Sequence, residues 1–461
     1  MKKIIFLIFI LSLFLFTFGQ YSKVVVVGDS LSAGYCSGGL VETFQQNSFP
    51  ALIARQCGIN DFEQPLVSEP GIPALLRLVD LTPVIIPITT DPTQYGHPLN
   101  LNLQRPYDNL AVPGATLYDA LNTVTDNGGL HDLILRGLGT QVQQAISLNP
   151  DLIIVWIGNN DVLGAATSGT PIEGVTLTPK DVFQAEYEQL ISTLKSSTGA
   201  DIIVANIPSV LSIPFVTTVP PYIINPQTGE VVVDQNGNPM TYLGQSDDGS
   251  PFISPNSKVL LTAMQYIAQG YGLPTQLGGN GQPLPDSVVL TPNELATIED
   301  YLNTFNSYIK STAEKYGCAL FDSNNIFKDI VANGIEVGGI TIRTNFLTGG
   351  FFSLDGVHPT AIGYALVAEY MIRIINQYFG KNIPDVDLYP FIFNSPVCCL
   401  TQGKLDITKL NISGLEGVVD LFAKNLKKWN GKADLIGNIG NLNPVNLIDT
   451  DINKYIFRNT R

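Results

Sequence analysis

Four short segments of this 461-residue chain carry the groups that acyl transfer requires. A serine hydroxyl is a weak nucleophile at neutral pH and needs an adjacent base. A neutral imidazole is a suitable base when a carboxylate fixes its tautomer and stabilises its protonated form. The serine lies in residues 28–32 (GDSLS), and donor groups lie in residues 109–115 (NLAVPGA) and 158–161 (GNND). The aspartate–histidine pair lies in residues 355–359 (DGVHP).

The candidate catalytic residues are Ser30 as nucleophile and Asp355 with His358 as its proton-handling partners. Asp355 and His358 lie three positions apart across a loop that contains glycine, so both side chains can turn to one side. Pro359 suits the first position of a helix that follows this loop. Such a helix would hold the aspartate–histidine pair rigidly.

The carbonyl oxygen of a tetrahedral intermediate becomes negative and needs hydrogen-bond donors, each typically worth about 10²–10³ in rate. The candidate donors are the backbone N–H groups of Ser30 and Gly114 and the side-chain amide of Asn160. Glycine at position 114 fits this role because a backbone N–H must approach the substrate closely. These three groups would form an oxyanion hole.

The four segments, in this order, resemble the sequence blocks of the GDSL or SGNH hydrolase family, which is named for Ser, Gly, Asn and His. Ser30 matches the family's nucleophile, and Gly114 and Asn160 match its other oxyanion donors. Asp355 and His358 match its carboxylate and base. The resemblance implies a three-layer α/β/α, flavodoxin-like fold. It also implies hydrolysis of esters with neither a metal nor an organic cofactor.

The resemblance extends over roughly residues 21–380 and looks closest to large secreted bacterial forms. We therefore expect a hydrolase domain over residues 20–399, with an insertion at 209–292 that the compact members of the family lack. This insertion is rich in Pro, Gly, Asn and Tyr. It is interpreted either as a lid or substrate rim or as decoration without a role.

Strands that end at these segments would bring them together, because ligands of an open parallel sheet bind outside the carboxyl ends of its strands. Continuous apolar runs predict strands buried on both faces. They lie at residues 23–27, 151–157 and 201–205. Apolar stripes predict helices between these strands, over residues 133–148 and 179–195, the second capped by Thr178.

The second half of the chain contains a predicted hairpin and two predicted helices. Residues 230–233 and 240–243 flank Asn236-Gly237, a dipeptide typical of a hairpin turn. Thr291, followed three residues later by Glu294, predicts the start of a helix that runs to Tyr316. A final helix is expected over residues 360–379 and ends at Gly380.

The N-terminus has the pattern of a secretory signal peptide, assigned to residues 1–19. Lys2 and Lys3 precede an apolar run at 4–18, which is short for a membrane span, since a span needs about 20 residues. An uncleaved anchor is the alternative. We expect export to a periplasmic or extracellular location and no stable membrane span in the mature chain.

Composition excludes a general nucleic-acid binder, because the formal net charge is −15 and no basic face is evident. Residues 400–461 differ, with nine basic and six acidic side chains. This change of sign predicts a boundary at about residue 400. The C-terminal extension is interpreted as a docking module or a partly ordered tail of unknown role.

Five cysteines and three histidines leave little material for a zinc site. Cys36 and Cys57 are the predicted disulfide pair, with scattered buried thiols as the alternative. The histidines outside the motifs, His97 and His131, are interpreted as structural. Asp29 and Asp161, beside the candidate groups, receive no chemical role.

Three hypotheses follow. The first is a secreted serine hydrolase that cleaves carboxylic esters of lipids, acylated glycans or small molecules through an acyl-enzyme intermediate. The second is a non-catalytic surface or binding module on the same fold, suggested by the insertion and the basic tail. The third is an acyltransferase, which shares the acyl-enzyme and passes the acyl group to an alcohol other than water.

Overall fold

The computed structural model describes residues 20–78, 86–89, 93–225, 228–394 and 410–411. The predicted signal peptide at 1–19 lies outside the described residues. So does the predicted extension at 400–461, apart from 410–411.

The strands of the described chain form one central sheet and several small ones. The central sheet has the order β1-β4-β5-β8, and the small sheets join β11-β3-β2, β6-β7 and β9-β10. The strands are β1 (Val24–Gly28), β2 (Arg77–Leu78), β3 (Ile86–Thr89), β4 (Leu152–Trp156), β5 (Asp201–Ala205), β6 (Lys258–Val259), β7 (Val289–Leu290), β8 (Ala319–Phe321), β9 (Ile335–Val337), β10 (Ile340–Ile342) and β11 (Leu410–Asn411).

Helices connect and cover these strands. They are α1 (Ser30–Ala33), α2 (Glu42–Gln45), α3 (Phe49–Gln56), α4 (Leu117–Asn122), α5 (Leu130–Leu135), α6 (Gln141–Ser147), α7 (Asn160–Ser168), α8 (Lys180–Ser197), α9 (Pro214–Thr217), α10 (Ala263–Ala268), α11 (Pro292–Tyr316), α12 (Ser323–Asn333), α13 (Ala361–Phe379) and α14 (Tyr389–Asn394). Short 3₁₀ helices lie at Thr275–Leu277 and Asp286–Val288.

The central sheet is parallel throughout, and its strands are apolar along their whole length because helices cover both faces. Val24 pairs with Leu152 and Gly28 with Trp156, so β1 and β4 end side by side. Helices α3 and α13 pack together, and α8 packs against α11, α4 and α6. The expected three-layer α/β/α architecture and its three predicted strands are confirmed. The fourth strand, β8, was not predicted.

The predicted helix over 133–148 is wrong, because two helices, α5 and α6, occupy this region. Arg136 adopts a left-handed conformation with φ 53° and ends α5. Thr140 then starts α6 through a capping box with Gln143. The apolar stripe continues across both helices, which is why the sequence pattern did not reveal the break.

Helix caps were predicted with mixed success. Thr291 caps α11 as predicted, in a capping box with Glu294, and Thr360 caps α13. The predicted cap at Thr178 is wrong, because its hydroxyl donates to the Asp161 carboxylate at 2.7 Å and Pro179 precedes α8. Pro359 was predicted to be the first residue of the last helix, and this is also wrong. It lies one position before Thr360, the residue that caps α13.

The predicted hairpin in the 209–292 region exists only as a turn with isolated bridges. The Asp234 N–H donates to the Asn238 carbonyl at 2.9 Å, and Gly237 has φ 82°. Val233 bridges Pro239, but no continuous ladder forms. Pro239 contributes to this, because a proline lacks the N–H that a ladder needs.

The predicted Cys36–Cys57 disulfide is wrong, because both thiols are free and buried, as is that of Cys318. Cys57 ends α3, whereas Cys36 lies in the turn that follows α1, with its sulfur 3.8 Å from the Ser37 hydroxyl oxygen. Burial raises the pKa of the Cys57 thiol to about 11. Buried thiols, the alternative interpretation, hold for these three cysteines.

None of the helices within the described residues combines the length with the apolarity needed to cross a bilayer.

Candidate active site

Asp355 and His358 form a buried, hydrogen-bonded pair at the loop before α13. The His358 Nδ1 atom lies 2.9 Å from the Asp355 carboxylate, and both side chains are almost completely shielded from solvent. The Gly356 N–H donates to the Ser353 carbonyl at 3.0 Å and the Ser353 N–H to the His358 carbonyl at 2.8 Å, which closes the loop. The structure therefore brings the predicted carboxylate and base into direct contact.

The Asp355 carboxylate accepts further hydrogen bonds. They come from the N–H groups of Val357 and His358, the N–H of Gly38 and the Ser353 hydroxyl, at 2.8–3.1 Å. Burial alone would raise the pKa of this carboxyl, but the His358 charge and these hydrogen bonds bring the pKa below its ordinary value. Asp355 is thus held ionised and fixed in orientation.

Ser30 begins the short helix α1 directly after β1. Asp29 caps this helix by accepting the Leu31 N–H at 3.1 Å. The Tyr35 N–H donates to the Ser30 carbonyl at 3.1 Å, so the chain turns immediately. This strand–turn–helix arrangement fixes the backbone N–H of Ser30 at the carboxyl end of the sheet.

The turn after Ser30 packs against the Asp355–His358 loop. The Tyr35 ring lies with its centroid 4.8 Å from that of the His358 ring. The Ser37 N–H donates to the Ser353 hydroxyl oxygen at 2.9 Å. The first and last segments, more than 300 residues apart in sequence, therefore meet at one place.

The two middle segments meet at the same edge of the sheet. The Asn160 side-chain amide donates to the Ala115 carbonyl at 2.8 Å, directly after Gly114. The Val112 N–H donates to the Gly28 carbonyl at 3.1 Å, which joins this loop to the end of β1. Gly114 has φ 79°, a left-handed conformation that glycine adopts without strain. All the predicted site residues lie on segments that converge here.

Sequence reasoning missed a link between Asp29 and Asn159. The Asn159 amide donates to the buried Asp29 carboxylate at 2.8 Å and so connects the Ser30 turn to the end of β4. Burial raises the pKa of Asp29 to about 7, although hydrogen bonds from Asn159 and Leu31 act to lower it. The GNND spacing placed Asn159 beside Asn160, but nothing in the sequence identified its partner.

Asp161 is also buried, and it serves the framework. It accepts hydrogen bonds from the Leu117 N–H at 3.0 Å and from the Thr178 hydroxyl. Burial raises its pKa to about 6 despite these bonds. It thereby attaches the helix that follows Gly114 to the start of α7.

His131 takes no part in this cluster. Its Nδ1 atom lies 3.1 Å from the Asp126 carboxylate on the neighbouring turn. No group of His, Cys, Asp and Glu side chains arranged to hold a metal ion is found among the described positions.

A groove of about 640 Å³ lies between α2, α3, α14 and the segment that precedes α14. Its lining includes Phe44, Arg55 and Phe391 and does not include Ser30 or His358. The groove is therefore separate from the converging segments.

Residues 24–371 match the family model described as GDSL-like Lipase/Acylhydrolase. The chain belongs to this family. Membership makes ester hydrolysis the class of reaction and agrees with the segments that meet around Ser30. The search of curated proteins found no match.

Solved structures of hydrolases share a distant likeness with this chain. An alpha/beta hydrolase enzyme from the metagenome of Lake Arreo, Spain, has a TM-score of 0.34 at 12% identity, over 77% of this chain and 96% of that one. The lipase/acylhydrolase from Enterococcus faecalis has 0.31 at 11%, over 77% and 95%. The extracellular lipase from Streptomyces rimosus has 0.32 at 16%, over 77% and 99%. The family match carries the assignment.

Asp29→Asn is expected to stabilise the fold more at pH 8 than at pH 4. Between its unfolded pKa near 4 and its folded pKa of about 7, Asp29 keeps a proton in the folded state that the unfolded state has released. The stability of the native protein therefore falls as pH rises through this window and levels off above it. Urea unfolding should show that the gain in the free energy of unfolding of Asp29→Asn is larger at pH 8 than at pH 4 by on the order of 2–4 kcal/mol.

Asp126→Asn is the matched control. Although burial acts to raise the pKa of Asp126, its bonds to His131 bring the pKa below the ordinary value, so its stabilising effect is lost as pH falls. Because this loss falls below the ordinary pKa near 4, Asp126→Asn should show no gain in stability between pH 4 and pH 8. A gain from Asp29→Asn that is independent of pH would contradict the prediction for Asp29.

Proposed function

We propose that the chain is an exported serine hydrolase that cleaves carboxylic esters through an acyl-enzyme, with Ser30, His358 and Asp355 as catalytic triad. Family membership supports the reaction class, and the converging segments support the residues. The N-terminal pattern at residues 1–19 supports export. Measuring the mass of the chain recovered outside the cytoplasm tests that part of the proposal, because removal of residues 1–19 shortens the chain.

The observation that carries the proposal is the buried hydrogen bond between His358 Nδ1 and Asp355. Because an ionised carboxylate accepts a hydrogen bond from the Nδ1–H group, neutral His358 is held in the tautomer whose Nε2 atom can accept a proton. Asp355 also stabilises the imidazolium that forms afterwards. A merely structural histidine has no need of a carboxylate that five donors orient.

In the acylation step the Ser30 Oγ atom attacks the carbonyl carbon while its proton passes to His358 Nε2. The tetrahedral intermediate collapses, the ester C–O bond breaks, and the alcohol leaves with the proton from His358. In deacylation, water takes the place of the alcohol. It loses a proton to His358 Nε2 as it attacks the acyl carbon. The bond between that carbon and Ser30 Oγ then breaks, His358 returns the proton to Oγ, and the carboxylic acid leaves.

The oxyanion of each intermediate would be met by the N–H groups of Ser30 and Gly114 and by the Asn160 amide. One of the two Asn160 amide hydrogens is used by the Ala115 carbonyl. The other is left for the oxyanion, since a primary amide nitrogen has two hydrogens. The bond to Ala115 thus fixes the donor in advance, which is what electrostatic catalysis requires.

Asn160→Ala is expected to lower kcat by about 10²–10³-fold with a much smaller change in KM. The reason is that the oxyanion is present only in the transition state and the intermediate, and not in the bound ester. Steady-state kinetics on p-nitrophenyl acetate, together with the free energy of unfolding, separate this effect from simple loss of fold. An unchanged kcat in a folded Asn160→Ala protein would rule out the donor role.

A fluorophosphonate probe provides the direct test of the proposed function, because it reacts only with an activated serine. Peptide mass spectrometry of the treated protein should find the adduct on the peptide that contains Ser30. A folded protein that takes up no probe and hydrolyses no ester would instead be a binding module on a hydrolase fold.

A further inference from the structure

Asp29 and Asn159 are each the residue that precedes a group of the proposed catalytic centre. Asp29 follows β1 and precedes Ser30, whereas Asn159 lies shortly after β4 and precedes Asn160. The Asn159 amide donates to the Asp29 carboxylate at 2.8 Å. One hydrogen bond therefore joins the chain next to the nucleophile to the chain next to the oxyanion donor.

This bond lies beyond the end of the strand pairing. The backbone ladder between β1 and β4 ends at Gly28 and Trp156. Ser30 and Asn160 both lie past that end, where paired backbone no longer sets the distance between the two segments. The side-chain bond continues the connection between the strands at the place where the ladder stops.

Both ends of the bond are anchored on their own helices. The Oδ1 atom of Asp29 accepts the Leu31 N–H at 3.1 Å, whereas its Oδ2 atom accepts from Asn159. The Asn159 carbonyl accepts the Leu163 N–H at 2.8 Å in the first turn of α7. Because each partner is attached to a helix, the bond fixes the start of α1 relative to the start of α7.

The link is formed in an environment that makes it costly. Asp29 is fully buried and Asn159 is 5% exposed. Within the described part of the chain, the Asn159 Oδ1 atom is buried without a hydrogen-bond partner. An unpartnered buried acceptor costs about 1–3 kcal/mol, and burial raises the pKa of the Asp29 carboxyl to about 7. Neither feature stabilises the fold at neutral pH.

A second Asn–Asp pair in the same sheet has no such unpartnered oxygen. Asn206 follows β5 and Asp322 follows β8, and the Asn206 amide donates to the Asp322 carboxylate at 2.7 Å. The Asn206 Oδ1 atom accepts from the Ser323 hydroxyl at 3.0 Å and from the Asn324 N–H at 2.9 Å. A pair that joins two strands can thus be satisfied completely, whereas the first pair is not. Unfavourable arrangements of this kind are found mainly where function requires them.

We propose that Asn159 and Asp29 are positioning residues, whose hydrogen bond holds the Asn160 amide in line with the Ser30 backbone N–H so that both meet the oxyanion. This inference rests on the proposed function and adds two residues that act through their neighbours. Alignment matters because a hydrogen bond weakens steeply when its angle or distance departs from the favourable range.

Asn159→Ala removes the one hydrogen bond that the Asn159 side chain makes. We expect kcat for p-nitrophenyl acetate to fall by about 10–100-fold, since a small displacement of a donor has a large effect on rate. KM should stay within about three-fold, because the bound ester carries no oxyanion. If Asn159→Ala does not fold, Asn159→Ser makes the same test, since its hydroxyl is too short to reach Asp29. A folded variant with native kcat would overturn the positioning role.

Asn206→Ala is the matched control, because it removes the corresponding amide after the neighbouring strand β5. It loses more hydrogen bonds, so its free energy of unfolding should fall at least as much as that of Asn159→Ala. Its kcat should nevertheless stay within about three-fold of the native value. Asn206→Ser takes its place if Asn206→Ala does not fold. Equal falls in kcat at positions 159 and 206 would indicate general loosening and overturn the positioning role.

Combining Asn159→Ala with Asn160→Ala tests whether one residue acts through the other. When the donor itself is absent, little is left to align, so adding Asn159→Ala to Asn160→Ala should lower kcat by less than about three-fold. Effects that multiply fully would mean that Asn159 acts independently of Asn160, which contradicts the inference.

Asp29→Asn is the conservative variant. The Asn159 amide can rotate so that its Oδ1 atom accepts from the amide introduced at position 29, which keeps the link. The kcat of this variant should stay within about ten-fold of the native value. A loss equal to that of Asn159→Ala would assign the effect to the carboxylate charge and overturn the positioning role. Hydrolysis that survives in Ser30→Ala would instead overturn the proposed function, whatever the result for Asn159→Ala.

Discussion

Replacing Ser30 by alanine is expected to lower kcat/KM for ester hydrolysis by about 10⁴–10⁶-fold, because no other group can form the acyl-enzyme. Little stability should be lost, since Asp29 and not Ser30 caps α1 and alanine suits a helical position. We expect the free energy of unfolding to stay within about 1 kcal/mol of the native value. Hydrolysis of p-nitrophenyl acetate, fluorophosphonate labelling and urea unfolding measure the three consequences.

Ser32→Ala is the matched control for this variant. Ser32 lies two residues further along the same helix, is fully buried and has no hydrogen-bond partner for its hydroxyl. The substitution removes the same atom from the same element, yet activity should stay within about three-fold of the native value. Equal losses in the two variants would mean that the Ser30 hydroxyl acts through structure and not as a nucleophile.

The sequence was sufficient to predict that two of the segments converge, because they follow strands that are parallel. β1 and β4 are apolar throughout, and each is followed at once by a motif, at Ser30 and at Asn160. Parallel neighbouring strands end at the same edge of the sheet, so the two motifs that follow β1 and β4 lie close together. The Asp355–His358 pair was predicted from spacing of three residues, which is a local property.

The parts that sequence reasoning missed depend on contacts between distant residues. The Asp29–Asn159 bond joins residues 130 positions apart, and either side chain alone is typical of an ordinary turn. The short β8 carries too few apolar residues to be distinguished from a loop. The break between α5 and α6 left the apolar stripe intact and was therefore invisible to periodicity.

The role of the 209–292 region illustrates the same limit. Its composition indicated an insertion, and a lid and mere decoration were equally compatible with it. The bond from Phe215 to Gly356 decides that part of this region packs on the His358 loop. A contact between residues 141 positions apart has no signature in local composition, because it depends on how the whole chain folds.

The second large effect is expected from Asp355→Asn, which should lower kcat by about 10⁴-fold. The carboxylate oxygen Oδ2 accepts from both His358 Nδ1 and Gly38, whereas Oδ1 accepts the other three hydrogen bonds. The amide nitrogen of the variant would take the Oδ2 position, since that leaves fewer donors without an acceptor. It would then donate to Nδ1 and hold His358 in the wrong tautomer, with the proton on Nε2. An imidazole in this form cannot accept the Ser30 proton.

Stability should fall as well, by about 1–3 kcal/mol, because the buried Gly38 N–H would lose its acceptor. Ser353→Ala provides the control, since it removes one donor to the same carboxylate without altering its charge or its bond to His358. Its kcat should fall by less than about ten-fold, as the remaining donors still orient Asp355. If Asp355→Asn kept its activity within ten-fold of the native protein, the tautomer of His358 would not depend on this carboxylate. The triad would then have to be assigned to a different acid, and Asp29, which also lies near His358, is the one to substitute next.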